Sequence, residues 1–297
     1  MTFMHLAVNY SHPATALLCD GRIMLDRFKC PAWPDLIAEA QQAHPVYVHF
    51  PLKVGLGIGD ALDTETKQPA DWHKVETLLR QTDTPFVNLH IVPRPHDYPD
   101  MPADTTDPAD CERIVANTLR DVRAVIARFG VERVIVENEG TVNGLRPAFM
   151  PDVIHRIVTE AGCGFLCDLS HARLIAKGLG IAPREYIAQL PMQHVCEMHV
   201  TGIQRFEGRW LERARSSGTD EAIIQQFAGR DMDHLPMTDA DWEFFTWALA
   251  QIRSGAWATP WVVSFEYGGV GGVWEAITDA ETLAVQVPRL CDMIHQA

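Results

Sequence analysis

The sequence predicts an α/β protein folded as a single (β/α)8 TIM barrel spanning residues 1–297. Three observations lead there. Short β-branched or apolar runs alternate with longer helical patterns, the signature of βα units on a parallel sheet. The runs number eight: MHLAVN, VYVHF, PFVNLHI, RVIVEN, GFLCDL, HVCEMHV, a weaker DMDHLPM and WVVSFEY. The residues His49, His90, Glu137, Asp168, His199, His234 and Glu266, at or near their carboxyl ends, follow at spacings of 41, 47, 31, 31, 35 and 32. A barrel of about 250 residues needs about 31 per unit. No linker, low-complexity tract or shift in composition divides the chain.

The helices between these runs carry their own punctuation. Candidates are PDLIAEAQQA, WHKVETLLRQ, DCERIVANTLRDVRAVIARFG, PDVIHRIVTEAG, REYIAQL, DADWEFFTWALAQIRSG and ITDAETLAVQVPRLCDMIHQ. Asp71, Asp110 and Thr238 stand where helices should start, and Gly130 and Gly162 where they should stop. The extra length falls after the second and third runs. There IVPRPHDYPDMPADTTDP, rich in Pro and Asp, reads as a loop over the barrel mouth.

Composition excludes several function classes. With 47% hydrophobic and 22% charged residues the chain is an ordinary globular protein. Lys+Arg is 25 against Asp+Glu 39, a net charge of -14. Phosphate backbones are bound by Lys and Arg, so no nucleic-acid partner is expected. No run approaches the ~20 apolar residues of a membrane span, and the amino terminus lacks a basic secretory signature, so a cytoplasmic protein without membrane contact is expected. The seven cysteines, Cys19, Cys30, Cys111, Cys163, Cys167, Cys196 and Cys291, are odd in number and scattered, which reads as reduced thiols. Cys163-x3-Cys167 has no second Cys/His pair to complete a zinc site.

Barrel active sites lie at the carboxyl ends of the strands, and ligand-type side chains concentrate there. Alternation puts Tyr47 with His49, Asn88 with His90, and Glu197 with His199 on shared faces, leaving Cys196 and Met198 toward the helices. Asp168 ends one run and His171 follows three residues later. Glu137 with Asn138, His234 and Glu266 complete the set. Such a convergence can be a buried acid–base network or a group of metal ions. Crowded carboxylates repel unless cations offset them, which favours metal. Nitrogen and oxygen donors without cysteine suit Fe, Mn or Zn.

The segments PVYVHFPL, VIVENEG, GCGFLCDLSHARL, HVCEMHVTG and DHLPM followed by DW resemble the multinuclear non-haem iron-dependent oxidases, typified by the methanobactin biosynthesis oxidase. The resemblance runs from about residue 45 to 290, and is most specific in Glu137-Asn138, Asp168-x-x-His171 and the Glu-x-His-x-x-Gly run at 197–202. It implies a xylose-isomerase-like barrel holding two or three irons that uses dioxygen to oxidise a substrate, often a cysteine of a ribosomally made peptide, with room for a partner protein that delivers the peptide. Carried onto this chain, the ligands would be His49, His90, Glu137, Asn138, Asp168, His171, His199, His234 and Glu266, with Glu197 and Asn88 supporting them. The family's Asp-x-His is here Asp231-Met232-Asp233-His234, so either Asp231 or Asp233 would join His234.

Rival readings are a Mn- or Mg-dependent sugar isomerase or epimerase on the same barrel, a trinuclear zinc hydrolase, and a non-catalytic metal-binding protein. Histidine-rich ligation favours iron over the first, and the acidic charge opposes the second. Schiff-base chemistry is disfavoured by only five lysines, of which Lys53 alone lies near a predicted strand end. KVGLGIGD lacks the helix and acid of a dinucleotide site and reads as a loop at the mouth. EYGGVGG reads as a tight turn, with a phosphate-binding helix start as the alternative.

Overall fold

A computed structural model describes residues 4–139 and 144–295. Gly140 of the VIVENEG motif and Gln296 at the end of the last helical run lie outside them. The strands are β1 (His5–Asn9), β2 (Arg27–Pro31), β3 (Val46–His49), β4 (Leu52–Val54), β5 (Leu62–Asp63), β6 (Val87–Ile91), β7 (Val134–Glu137), β8 (Gly164–Asp168), β9 (Val195–Val200), β10 (Gly202–Arg205), β11 (Asp231–Leu235) and β12 (Val262–Phe265). The chain forms two compact units: Met1–Tyr47, His199–Gly255 and Thr259–Ala297 make the first, and Val48–Met198 with Ala256–Ala258 the second. Among the described residues no helix is long and apolar enough to cross a membrane.

In the first unit β2, β1 and β12 run side by side and parallel, pairing Val8 with both Phe28 and Phe265. Leu6, Ala7, Val8, Val262 and Val263 are fully buried, as near-continuous apolar runs in parallel sheets are. Sequence reading passes over β2. Its Arg27 and Lys29 alternate with the buried Phe28 and Cys30, and two cations in five residues look like a loop.

The seventh predicted run is also corrected. β11 is a strand, but it pairs antiparallel with β10 in a separate two-stranded ribbon. Its alternation breaks at His234, whose φ of 57° is left-handed, so Met232 and Leu235 both turn into a satellite core with Phe206, Trp210, Ile224, Val273 and Ile277. Gly202 permits this ribbon, because a Cβ there would run into the Pro236 carbonyl.

The second unit holds β8, β7, β6 and β4 in that order, parallel through their ladders, with β5 antiparallel at the edge. The helix Pro108–Phe129 covers it with Ile114, Val115, Val122 and Val125. Its cap is Asp107, which accepts the Ala109 N–H; the expected Asp110 sits inside the first turn. Asp71, Thr238, Gly130 and Gly162 take their expected positions at helix ends.

The glycine-rich loop in KVGLGIGD wraps a carboxylate of the chain itself. Fully buried Asp121 accepts the N–H groups of Gly55, Leu56, Gly57 and Gly59 at 2.8–3.0 Å. Gly55, Gly57 and Gly59 adopt positive φ to aim these donors inward, as in an anion-binding nest. Residues 92–107 form the expected loop, with one short turn at Pro95–Asp97. In EYGGVGG the N–H groups of Gly268 and Gly269 are taken by His234 O and Thr278 Oγ1, consistent with a tight turn.

Candidate metal centre

The second unit assembles its group from successive strand ends. His49 closes β3, His90 lies one residue from the end of β6, Glu137 closes β7 and Asp168 closes β8. Side chains at strand ends converge because parallel strands present corresponding positions side by side, and His90 is in register with Glu137. Glu137 Oε2 lies 3.1 Å from His90 Nδ1 and 3.4 Å from His49 Nε2. The two imidazoles meet edge to face with centroids 4.9 Å apart. His49, His90 and Glu137 can each offer a donor atom within 4.8 Å of the others, close enough to hold one metal ion.

The ring orientations are fixed from behind. His90 Nε2 lies 3.1 Å from the Phe50 carbonyl, which can only accept, so Nε2 carries a proton and Nδ1 is the nitrogen that faces Glu137. Asn88 accepts the Phe50 N–H and donates to the Phe50 carbonyl, at 2.7 and 3.0 Å, and its amide also approaches His49 Nε2. It is the supporting residue that the sequence indicates. An imidazole lone pair aimed at a carboxylate is repulsive unless a cation, a proton or a metal ion, lies between them. Burial pushes the His90 pKa down, but Glu137 and Glu139 outweigh it and raise the pKa above the ordinary histidine value.

Glu139 is a residue that sequence reading misses. It stands two positions beyond Glu137, with Oε2 3.3 Å from His90 Nδ1 and Oε1 3.6 Å from Arg94 on the loop 92–107. Burial raises its pKa, yet hydrogen bonding to His90 and the charges of His90, His171 and Arg94 hold it below the ordinary carboxylate value. The spacing Glu-Asn-Glu is its only signal. Lys53 reaches the same loop through Asp97 at 2.6 Å, which gives it a structural partner.

Asp168 and His171 are joined by a helix start. Asp168 caps Leu169–Leu179, accepting the Ser170 and His171 N–H groups at 2.7 and 2.8 Å. His171 Nδ1 stands 3.6 Å from Asp168 Oδ2 and 3.7 Å from Glu137 Oε1. Asn138 brackets β8, donating to Asp168 O and accepting the Asp168 N–H at 2.9 Å each. Both ends of its amide are thus engaged with backbone. Glu197 is buried on β9, beside the fully buried Met198.

In the first unit His199 Nδ1 lies 3.1 Å from Glu266 Oε1, and the same oxygen accepts from the Lys29 ammonium. Lys29, His199 and Glu266 are all buried. Lys29 corrects the expectation that Lys53 alone stands near a strand end, and it was hidden because β2 itself was. Asp231, Asp233 and His234 lie on the β10–β11 ribbon, where the His234 ring packs on Trp274 with centroids 4.6 Å apart.

A profile of the family described as "RiPP precursor modification enzyme MbnB/TglH/ChrH" matches residues 28–252. A UPF0276 protein of Caulobacter vibrioides (strain NA1000 / CB15N) is 27% identical over 259 residues, covering 83% of each chain. A UPF0276 protein of Rhizobium meliloti (strain 1021) is 25% identical over 220 residues, 72% of this chain and 63% of its own. In fold the chain is similar to a D-tagatose 3-epimerase-like protein (TM-score 0.55, 13% identity, 99% of this chain and 97% of that one). It is also similar to a D-psicose 3-epimerase (TM-score 0.56, 12% identity, 99% and 100%). At such identities these structures define the fold alone. The family match covers three quarters of the chain, and its strand-end donors lie within it apart from Glu266: the protein belongs to the MbnB/TglH/ChrH family of RiPP precursor modification enzymes.

Proposed function

We propose that this protein is an iron- and dioxygen-dependent oxidase that modifies a cysteine of a ribosomally made precursor peptide, on a (β/α)8 barrel taken as one domain. The observation that supports the reading most is the His49–His90–Glu137 group in a chain of a peptide-modifying family. The residues fit a metal: two neutral imidazoles and a carboxylate are borderline donors suited to Fe, Mn or Zn, and Nδ1 of His90 is aimed where a cation is needed. His49, His90 and Glu137 would hold one ion, Asp168 and His171 would add donors beside Glu137, and His199 and His234 with Asp231 or Asp233 are further candidates. Bound iron would supply one-electron exchange with dioxygen.

The remaining work falls to the chain. The Phe50 carbonyl and Asn88 hold the imidazoles in one tautomer and orientation, support that conserves donor geometry. Arg94 ties the loop 92–107 to Glu139, so a substrate entering over that loop meets an ordered wall. Oxygen uptake by anaerobically purified, iron-loaded protein given a cysteine-containing precursor peptide tests the reading. The expected result is dioxygen consumption with a mass change on the peptide and no activity with manganese. Full turnover of a ketose with manganese or magnesium under strict anaerobiosis would replace it with an epimerase.

A further inference from the structure

We infer that Arg146 is a substrate anchor, whose guanidinium takes a carboxylate of the peptide as it enters over the loop 92–107. The inference rests on the peptide-modifying reading and adds to it a residue that selects the substrate. Arg146 opens the turn Arg146–Phe149, which follows β7, and the loop 92–107 follows β6. Both segments therefore lie beyond the strand ends that present His90 and Glu137. They are stitched together by backbone: the Arg146 N–H donates to the Ala103 carbonyl at 2.7 Å, and the Leu145 N–H to the Pro93 carbonyl at 3.5 Å. Pro93 precedes Arg94, whose guanidinium stands 3.6 Å from Glu139, so two arginines share one ledge of the second unit beside the metal group.

What sets Arg146 apart is that its charge has no partner in the chain. The residue is half-buried, and its Nε is shut off from solvent and donates to nothing. Among the described residues its side chain enters no hydrogen bond and no ion pair, in a protein with 39 Asp and Glu against 25 Lys and Arg. The neighbouring cations are taken: Lys53 holds Asp97, Arg94 faces Glu139 and Arg113 holds Asp100. A buried donor left unmade is costly, and arginine cannot relieve the cost by giving up its proton. An unmade donor of this kind marks a place for a ligand or an ordered water. The backbone around it is fixed beforehand: Pro147, Ala148 and Phe149 are buried, and the Phe149 carbonyl accepts the Tyr186 hydroxyl at 2.6 Å. The facing loop is fixed as well, because Asp97 accepts from Lys53 and from the Arg94 N–H at 2.6 and 2.7 Å. A guanidinium gives a carboxylate two parallel hydrogen bonds, and carboxylates are the anions that an unmodified peptide carries. The ligand is thus a peptide carboxylate, either of an acidic side chain near the cysteine or of the carboxyl terminus.

The probes are Gly-Gly-Cys-Gly-Gly peptides amidated at the carboxyl terminus, with each Gly replaced in turn by Glu or by Gln, together with the unsubstituted peptide ending in a free carboxylate. Binding to iron-loaded protein kept free of dioxygen, so that nothing turns over, is measured by calorimetry. At least one acidic probe is expected to bind about 10-fold more tightly than its neutral counterpart, and the probe that does so tells an internal acid from a terminal one. Arg146→Met should erase the advantage and leave the neutral probes unaffected, whereas Arg146→Lys, which keeps the charge but not the fork, should restore part of it. No acidic probe bound more tightly than its neutral counterpart, or an advantage that survives in Arg146→Met, would overturn the inference. Nitrogen-15 spectra of the parent need no variant to fold: the Arg146 Nε–H should shift and exchange more slowly with the acidic probe. An Nε–H unmoved by that probe would assign the donor to an ordered water and overturn the anchor. Failure of the oxidase reading looks different, as absent dioxygen uptake with the preference for acidic probes intact.

Discussion

The histidines of the two units keep different company. In the second unit His90 faces Glu137 and Glu139, while His49 faces Glu137. In the first, His199 faces a carboxylate that already holds a lysine. The residue types and strand-end positions are alike, so alternation and spacing read them alike. What differs is the nearest cationic side chain: a buried lysine stands beside Glu266, and Arg94 beside Glu139. Crowded carboxylates are stable only with compensation, and a side-chain ammonium and a metal ion are two ways to provide it. A strand-end Glu beside a His therefore need not draw all its compensation from one source.

Removing a member of each group tests the contrast. Glu137→Ala should have the largest effect, losing at least one equivalent of metal by elemental analysis while far-ultraviolet circular dichroism stays that of a folded protein. Retention of the full metal content would make the second unit's group structural. Lys29→Ala should leave Glu266 as an unpaired buried carboxylate and cost about 3–5 kcal/mol in denaturant unfolding, whereas Lys29→Met/Glu266→Gln should be close to neutral. Equal losses in both would show that packing, not charge, is what Lys29 contributes.

The opposite faces of the same strands should respond in the other way. Fully buried Met198 lies between Glu197 and His199 on β9, and strand alternation sets it on the face opposite to theirs. Met198→Ala should lower stability by about 2–5 kcal/mol and leave metal content unchanged. Loss of metal in that variant would mean that strand packing and ligand geometry cannot be separated.

The smallest expected effect extends the theme of carboxylates held by the chain's own groups. Burial raises the Asp279 pKa, but Thr282 hydroxyl and N–H donors and the charge of Arg213 outweigh it and hold it below the ordinary aspartate value. A depressed folded-state pKa stabilises above the unfolded value, about 3.9, and the contribution is lost as pH falls through the folded value. The gap in melting temperature between the parent and Asp279→Asn should therefore be full at pH 5 and shrink as the pH drops below 4. A gap independent of pH would assign it to hydrogen-bond geometry alone.

Much of this was legible in the sequence, and the misses have physical causes. Apolar spacing and caps located Pro34–Ala43, Trp72–Thr82 and Pro151–Ala161. Period-two alternation correctly located the ends of β3, β6, β7, β8 and β9, and with them His49, His90, Glu137, Asp168 and His199. β2 was invisible because a buried lysine makes its pattern look solvated, and its compensation comes from Glu266, 237 residues away. The β11 run read as one more parallel strand because pattern does not specify a pairing partner. The glycine-rich loop read only as a loop at the mouth, because the carboxylate it wraps, Asp121, lies more than sixty residues away in sequence. Glu139 escaped because it lies past the strand end, where alternation stops informing.

The central claim is that His49, His90 and Glu137 hold a metal ion in a peptide-modifying enzyme. Anomalous scattering at the iron edge from crystals of anaerobically iron-loaded protein tests it most directly. The expected result is an iron peak bonded to all three side chains. No peak at the His49–His90–Glu137 group in protein loaded with iron would contradict the claim.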